Sequence, residues 1–405
     1  MTDISTRKRD LRTGTPVWLP DGEVAGLPHP LQHGLCVDVA VIGGGVSGAL
    51  LADAALQAGR SVAVFDRRGL VRGSTPASTA LLQFELDQPL TVLSQRIGAE
   101  RAARAWWRSA GAVQHLFGRI EDLGLRCGLK QRASAYLPGN TLDAAGLRAE
   151  AAARERIGLR STFIEGDALR SLTGIDKPGA IWSTGNGELD PVRLVRGLWH
   201  SAVARGAQIF APVELADLDH GRDHVTLTMS DGVAVRAKHV VLATGYELSR
   251  LLKPRGYKVI TTWAMATAPQ RDRLWGTRCL IWEAADPYLY LRTTVDDRII
   301  VGGEDEEFSD EAKRDRLIPL KMTAIRRKLA ELLPGVATEA EFEWTGSFGV
   351  SDSSLPGIGP VPGSPRCFAV MGYGGNGITF STIAAQMFLR MLAGIPDPDS
   401  DVFAL

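Results

Sequence analysis

The sequence has little cysteine and no net charge, and both features narrow the possible functions. Its four cysteines are scattered among 405 residues, with no CxxC pair and no Cys and His at metal-ligand spacing. This usage argues against a disulfide scaffold or a metal site and favours a cytoplasmic location. Since 46 basic residues balance 46 acidic ones, bulk electrostatics argue against binding to nucleic acid or to a membrane surface.

Long apolar runs are missing as well. The first 11 residues are polar and are followed by no apolar stretch of the length that a secretory signal needs. No run of about 18 apolar residues lacks both glycine and charge, so we predict no membrane span. Four prolines among residues 1–30 predict an irregular N-terminal arm. The charged run 304–316 is interpreted as a solvated loop and helix face.

Glycine, in contrast, is abundant, with 44 residues where average usage gives roughly 28. A GxGxxG motif at 43–48 lies between the β-branched run 37–42 and an Ala- and Leu-rich segment that predicts a helix over 49–58. A second predicted strand over 61–65 ends at Asp66, 23 residues after the first glycine of the motif. This order of strand, glycine turn, helix and strand predicts a dinucleotide-binding βαβ unit.

Each of the three glycines of this motif has a physical task. Gly43 permits the tight turn, Gly45 lets the backbone approach a pyrophosphate, and Gly48 lets helix and strand pack closely. The helix N-terminus presents N–H groups and a positive dipole end to the phosphates. Asp66 would accept hydrogen bonds from the ribose hydroxyls and repel a 2′-phosphate. The motif therefore favours FAD or NAD over NADP, without choosing between the first two.

Three later segments favour FAD. A hydroxyl-rich loop at 72–80 offers backbone and hydroxyl donors to a long cofactor. A predicted strand within 237–246 ends in Ala-Thr-Gly, whose small residues allow close approach to a ligand. A third strand enters a glycine loop at 367–377, and a helix is predicted over 378–392. The N-terminus of that helix would face the flavin pyrimidine ring and stabilise its negative charge on reduction.

Together these segments resemble the D-amino-acid oxidase-like FAD-dependent oxidoreductases, which include glycine oxidase, sarcosine oxidase and the dimethylglycine dehydrogenase flavoproteins. The matching pieces are VIGGGVSG, GSTPASTA, VVLATGYE, YLYLRTT…RIIVGGED and GYGGNGITFS, in that order. The resemblance implies an α/β fold (α+β overall) in which a Rossmann-type FAD-binding domain is interleaved with an antiparallel-sheet substrate domain. It implies FAD-domain segments 31–86, 169–252 and 346–405 and substrate-domain segments 87–168 and 253–345, after an N-terminal arm over 1–30.

The resemblance and the motifs also predict which residues bind FAD. These are Gly43, Gly45, Val46, Ser47, Gly48, Asp66, Arg67, Gly73, Ser74, Thr75, Ser78, Thr79, Ala80, Val213, Thr244, Gly245, Gly374, Gly375, Asn376, Gly377, Ile378 and Thr379. We expect non-covalent FAD, because the loop at 74–79 has no His and none of the four Cys has the sequence context of a covalent attachment site.

The substrate pocket departs from the family pattern. In glycine-oxidase-like members an Arg for the substrate carboxylate stands four residues after a Trp, whereas Phe348 follows Trp344 at that spacing here. A second Arg, expected before Asn-Gly-Ile, is replaced by Gly375. Both carboxylate clamps are therefore missing, and Arg292 is predicted to be a possible substitute. The aromatic candidates for the substrate pocket, which could also cage an amine, are Tyr288, Tyr290, Trp344, Phe348 and Tyr373.

The sequence thus predicts an FAD-dependent oxidoreductase that oxidises the C–N bond of an amine or N-substituted amino acid to an imine, by hydride transfer to flavin N5. Positioning and a dry site supply most of the rate, so no side chain is assigned as acid or base. Oxygen or another electron acceptor would reoxidise the flavin. Two alternatives stay open: a flavin-carrying subunit of a larger complex with a structural or assembly role, and a protein whose sole cofactor is NAD.

Overall fold

The computed structural model describes residues 2–3, 8–18, 31, 34–252, 256–364 and 366–405. Two large sheets, with helices packed on them, make up this part of the chain. The helices are α1 (Val46–Gln57), α2 (Leu90–Ile97), α3 (Ala99–Asp122), α4 (Ala144–Arg156), α5 (Gly166–Thr173), α6 (Pro191–Ala204), α7 (Glu311–Arg316), α8 (Ile318–Leu332) and α9 (Gly377–Leu392).

The first sheet has a parallel centre, as a dinucleotide-binding sheet requires. Its strands are β1 (Thr2–Asp3), β3 (Cys36–Ile42), β4 (Val62–Phe65), β9 (Gln208–Phe210), β10 (Leu215–His220), β11 (Val225–Met229), β12 (Ala234–Leu242), β18 (Gly357–Pro360) and β19 (Cys367–Met371). They run in the order β1-β10-β11-β12-β3-β4-β9, with β19 also on β12 and β18 on β19. The central strand β3 is parallel to both β12 and β4, and helices α1 and α9 pack on each other beside it.

The second sheet is mostly antiparallel. Its strands are β2 (Arg12–Gly14), β5 (Leu81–Leu82), β6 (Lys130–Pro138), β7 (Ser161–Glu165), β8 (Gly179–Glu188), β13 (Lys258–Thr267), β14 (Leu280–Ala284), β15 (Leu289–Thr293), β16 (Ile299–Glu306) and β17 (Ala340–Val350). They run in the order β2-β17-β13-β16-β15-β14-β6-β8-β5, with β7 on β8. The predicted fold class, an α/β nucleotide-binding unit interleaved with an antiparallel sheet, is confirmed.

The division of the chain into segments stays a prediction, and two elements do not follow the proposed bounds. Strand β8 falls in a predicted FAD segment but pairs with β6 and β7 in the second sheet. Helix α3 falls in a predicted substrate segment but packs against α9 in the core beside the first sheet. In both cases tertiary contacts with elements distant in sequence decide where the element packs.

The N-terminal arm is more regular than its prolines suggest, within the residues that are described. Strand β2 pairs antiparallel with β17 and so extends the second sheet. Ser347 donates its backbone N–H to the carbonyl of Leu11, and Trp18 donates its indole N–H to the carbonyl of Ser78. The rest of the predicted arm, over residues 19–30, lies outside the described residues. None of the described helices combines the length and apolar character needed to cross a bilayer.

Candidate active site

A deep cleft between the two sheets contains the predicted site. It encloses about 2080 Å³ of empty space, including its open mouth, and extends from the glycine loop to the aromatic residues of the second sheet. All of the predicted FAD-binding residues except Gly48 line it. The fold thus brings together five segments that are far apart in sequence, although their contact with FAD stays a prediction.

The glycine loop leaves room for a ligand at one position. A Cβ at Gly48 would lie 1.9 Å from the carbonyl oxygen of Gly43, and one at Gly43 would lie 2.3 Å from that of Ala243. These two glycines are therefore required by the packing of the protein itself. A Cβ at Gly45 would meet only Thr75 Oγ1, at 3.2 Å. The open space at Gly45 faces the cleft and fits the approach of a pyrophosphate.

Asp66, at the end of β4, braces the glycine loop. Its carboxylate accepts backbone N–H groups from Gly44 at 2.7 Å, Arg68 at 2.7 Å and Gly69 at 3.0 Å. Burial nevertheless raises the pKa of Asp66, and the three N–H groups only partly oppose that effect. The carboxylate lines the cleft, so the predicted ribose contact remains open to it.

A network of charges closes the end of the cleft beyond Asp66. Glu247 accepts hydrogen bonds from the guanidinium of Arg68 and from the backbone N–H of Arg9, and it forms an ion pair with Arg67 at 2.8 Å. Arg67 also pairs with Glu214 at 2.9 Å. Burial opposes ionisation of Glu247, but these hydrogen bonds outweigh it, so its pKa lies below the ordinary value. The side chains of Arg67 and Arg68 are thus bound to carboxylates of the protein.

Five of the described residues that line the cleft have a buried side-chain polar atom without a hydrogen-bond partner: Ser74, Gln83, Glu85, Thr262 and Trp282. Two of these atoms are the hydroxyl of Ser74 and the amide nitrogen of Gln83. Buried polar groups in folded proteins are nearly always satisfied. A polar ligand lying along the cleft would satisfy both, which fits a dinucleotide with phosphate, ribose and flavin groups.

Sequence reasoning missed the segment that carries Gln83, which lies on the cleft wall beside the start of α9. Gly375 donates its backbone N–H to Asp87 at 2.8 Å, Asn376 donates its side-chain amide to the Glu85 carbonyl, and Thr379 donates its hydroxyl to the Gln83 carbonyl. The signal was present, since the run LLQFELD alternates apolar and polar residues from 82 to 87. That period of two places its polar members on one face.

Aromatic side chains wall the same part of the cleft. Tyr288 and Tyr290 lie with ring centroids 5.7 Å apart, and Tyr246 and Tyr373 with centroids 5.9 Å apart. These four residues line the cleft with Trp282 and Phe348. Four of the predicted pocket residues, Tyr288, Tyr290, Phe348 and Tyr373, therefore lie together on the cleft wall, and their contact with a substrate stays a prediction.

The structure places Arg292, the predicted substitute clamp, away from the cleft wall. Its guanidinium is 2% exposed and does not line the cleft. It donates to the carbonyls of Thr79 and Leu189, at 2.7 and 2.8 Å, and lies 3.6 Å from the carboxylate of Glu188. Burial lowers the pKa of Arg292 to about 10, although Glu188 opposes this. All of these contacts are within the protein, so Arg292 is a structural residue beneath the hydroxyl-rich loop at 72–80.

Trp344 also belongs to the interior instead of the pocket. It is 1% exposed, and its indole N–H donates to the carbonyl of Ala77 at 3.0 Å. The ring packs among Ala264, Ala266 and Ile300 behind the cleft wall. Trp344 therefore helps to hold the hydroxyl-rich loop at 72–80 against the second sheet.

A buried carboxylate, Asp305, lies behind the aromatic wall and accepts the hydroxyl of Tyr288 at 2.6 Å. Burial raises the pKa of Asp305 to about 6, and the hydrogen bond from Tyr288 only partly opposes this. The predicted solvated loop at 304–316 is therefore wrong at its start, because β16 carries this residue inward.

The raised pKa of Asp305 predicts a pH-dependent loss of stability. The folded state holds this proton more tightly than the unfolded state, so the free energy of unfolding falls as pH rises from about 4 to about 6. We expect Asp305→Asn to raise the melting temperature of the holoenzyme by about 1–4 °C at neutral pH and hardly at all near pH 4. The matched control is Asp167→Asn, whose carboxylate is fully exposed. Equal shifts at both pH values would contradict the assignment.

The chemistry of the lining agrees with non-covalent binding. Among the described residues that line the cleft, none is Cys or His. Cys127, Cys279 and Cys367 are buried elsewhere, and Cys36 is exposed at the start of β3. The described residues also contain no group of three His, Cys, Asp or Glu side chains that could hold a metal ion.

Comparison with known proteins assigns the chain to a family. Gamma-glutamylputrescine oxidoreductase of Escherichia coli strain K12 is 23% identical over 376 residues, covering 90% of this chain and 85% of that protein. Glycine oxidase of Bacillus licheniformis is 24% identical, covering 89% of this chain and 94% of that one. The crystal structure of glycine oxidase from Geobacillus kaustophilus superposes with a TM-score of 0.74 at 19% identity, covering 92% of this chain and 99% of that one.

The family model for the DAO group, described as FAD-dependent oxidoreductases, matches residues 38–391, which is most of the chain. That span includes the glycine loop, most of both sheets and the start of α9. It also contains the two glycine-rich turns and the hydroxyl-rich loop that line the cleft. The chain therefore belongs to the DAO family of FAD-dependent oxidoreductases, and FAD is its cofactor.

Proposed function

We propose that this protein oxidises the C–N bond of an amine or N-substituted amino acid to an imine, and passes the electrons to oxygen or another acceptor in the cytoplasm. Bound FAD would supply the acceptor for the hydride of the carbon next to nitrogen, and water would then hydrolyse the imine. The observation that supports this is the continuity of the cleft. One space joins the glycine loop to a chamber walled by aromatic rings, so a substrate can lie next to the flavin end of the cofactor.

The residues of the chain contribute position and a dry environment. Tyr288, Tyr290 and Trp282 close the chamber on the side of the second sheet. Tyr373 is fixed on the opposite side, because it donates to the carbonyl of Val370 at 3.1 Å and shares a hydrogen bond of 3.0 Å with Ser47. Fixed walls of this kind hold a substrate in a reactive orientation, which accounts for much of the rate of such reactions.

The N-terminus of α9 contributes the electrostatic part. Residues 374–379 line the cleft, and α9 begins there at Gly377 after Asn376, which makes no side-chain cap. The unpaired backbone N–H groups of its first turn carry a partial positive charge. They would stabilise the negative charge that the reduced flavin acquires near N1 and O2.

Anaerobic reduction tests this function directly. Under nitrogen, the yellow holoenzyme is mixed with a panel of primary, secondary and N-methylated amines and amino acids, and the flavin absorbance is followed. We expect at least one class to bleach the flavin band and admission of air or an added acceptor to restore it. If none of the panel bleaches a flavin that dithionite reduces normally, the proposed amine chemistry is wrong.

A further inference from the structure

The polar face of the segment 82–87 opens into the substrate chamber and is acidic. Its apolar members Leu82, Phe84 and Leu86 are buried at 1%, 3% and 1% exposure. Its polar members Gln83, Glu85 and Asp87 all line the cleft. Because three hydrogen bonds tie this segment to the start of α9, its carboxylates lie beside the predicted flavin position.

Glu85 is a buried acceptor that the described residues leave incomplete. The side chain is 2% exposed, and one carboxylate oxygen accepts the hydroxyl of Ser134. The second oxygen, Oε2, is buried and has no hydrogen-bond partner among the described residues. An orphaned acceptor of this kind indicates a missing donor. Since Glu85 lines the cleft, the donor that fits is a group on a bound ligand.

Asp87 adds a second carboxylate to the same chamber. Water reaches it through the open mouth of the cleft, but protein surrounds it, and this burial raises its pKa. Its one hydrogen bond from the described protein is the backbone N–H of Gly375. The negative charge of Asp87 adds slightly to the effect of burial in raising the pKa of Asp305.

The charge near Glu85 and Asp87 is negative and is not balanced by a basic side chain among the described lining residues. Among the described lining residues, Arg67 and Arg68 are the only basic ones, and both pair with Glu247 at the other end of the cleft. Phe348 and Gly375, at the two positions where the family resemblance predicts an Arg, line the chamber and carry no charge. A carboxylate on the substrate would therefore meet two carboxylates and no cation. An ammonium group would meet those carboxylates and the faces of Tyr288 and Tyr290.

We propose that the substrate is a cationic amine without a carboxylate, whose positively charged nitrogen is held by Asp87 and Glu85 within the aromatic wall. This specificity rests on the proposed amine oxidation. It differs from that of an amino-acid oxidase, because the anchor is a pair of acids instead of an arginine. A diamine suits the site best, since one nitrogen can stay protonated on the acids while the other loses its proton and reacts.

Two probes of the same shape and opposite charge test the proposal independently of turnover. Benzamidinium and benzoate are both planar, and neither carries a C–H bond next to an amine nitrogen, so neither can be oxidised as the substrate is. Each is titrated into the holoenzyme at neutral pH, with the flavin absorbance as the measure of binding. We expect benzamidinium to bind at least about tenfold more tightly than benzoate.

Variants of Asp87 and Glu85 test whether these two acids cause the tighter binding of benzamidinium. Asp87→Asn keeps an acceptor for the Gly375 N–H and is expected to reduce the ratio of the two affinities by about tenfold, and Glu85→Gln is expected to reduce it as well. Asp167→Asn removes an equal charge from the surface and should leave the ratio unchanged. FAD content is measured for each protein, so that loss of cofactor is recognised.

Three results would overturn the proposal: benzoate binding as tightly as benzamidinium, neither probe perturbing the flavin, or an unchanged ratio in Asp87→Asn. These results concern equilibrium binding alone. A holoenzyme that selects benzamidinium but is bleached by no amine would retain the cation site and refute the proposed oxidation. A holoenzyme that is bleached by amines but prefers benzoate would retain the oxidation and refute the cation site.

Discussion

Gly45→Ala is expected to weaken FAD binding by at least about tenfold while the apoprotein keeps its stability. The backbone φ at this position is −83°, which alanine adopts without strain. The added methyl group would meet only Thr75 Oγ1, at 3.2 Å, so its cost to the folded protein should stay within about 1 kcal/mol. In the complex, however, the same methyl group would occupy the space through which the backbone approaches the pyrophosphate.

Gly48→Ala is the matched control for that experiment. Its methyl group would lie 1.9 Å from the carbonyl oxygen of Gly43, so the helix and strand must move apart, with a loss of about 3 kcal/mol in the free energy of unfolding. Denaturant unfolding of each apoprotein and titration with FAD separate the two effects. If Gly45→Ala destabilised the apoprotein as much as Gly48→Ala, or left the FAD dissociation constant unchanged, the space at Gly45 would not be a pyrophosphate site.

Replacing Arg292 is expected to lower the free energy of unfolding of the protein. The KM for substrate should not rise. Arg292→Ala removes the donor to the carbonyls of Thr79 and Leu189 and leaves the buried carboxylate of Glu188 with Arg132 as its remaining ion pair. Breaking a buried ion pair in this way costs about 3–5 kcal/mol. We expect the melting temperature of the holoenzyme to fall accordingly, as measured by calorimetry.

Arg292→Lys distinguishes a structural role from a substrate contact. It retains the charge near Glu188 but cannot reproduce the planar fork that reaches two carbonyls at once. We therefore expect an intermediate loss of stability and an unchanged KM for whichever amine reduces the flavin. A large rise in KM with normal stability would restore Arg292 to the substrate pocket.

The position of Arg292 shows that strand periodicity predicts which residues share a face, but not what covers that face. Tyr290 and Arg292 share one face of β15, as their spacing of two predicts. Whether that face meets a ligand depends on what covers it, and the loop that contains Thr79 covers Arg292. The loop is distant in sequence by more than 200 residues, so no local pattern in β15 could indicate its position.

The two glycine-rich turns of the site could be predicted, because they depend on residues that are adjacent in sequence. The turn at 43–48 depends on local chemistry, because glycine, strand and helix follow one another along the chain. The start of α9 was predictable to within one residue, Gly377 instead of Ile378, because a glycine loop precedes an apolar helix. The acids Glu85 and Asp87 were equally visible in an alternating run, but their function depends on α9, which meets them only in the folded protein.

The last lining segment of the cleft, residues 374–379, is synthesised more than 300 residues after the glycine loop. Strand β19, which leads into that segment, must find its place on β12 after most of the first sheet exists. A growing chain on the ribosome therefore carries an incomplete cofactor site while the residues between the glycine loop and residue 374 are synthesised. Because domains form as their segments emerge, FAD capture becomes a late event, and chains that terminate before residue 374 should accumulate without flavin.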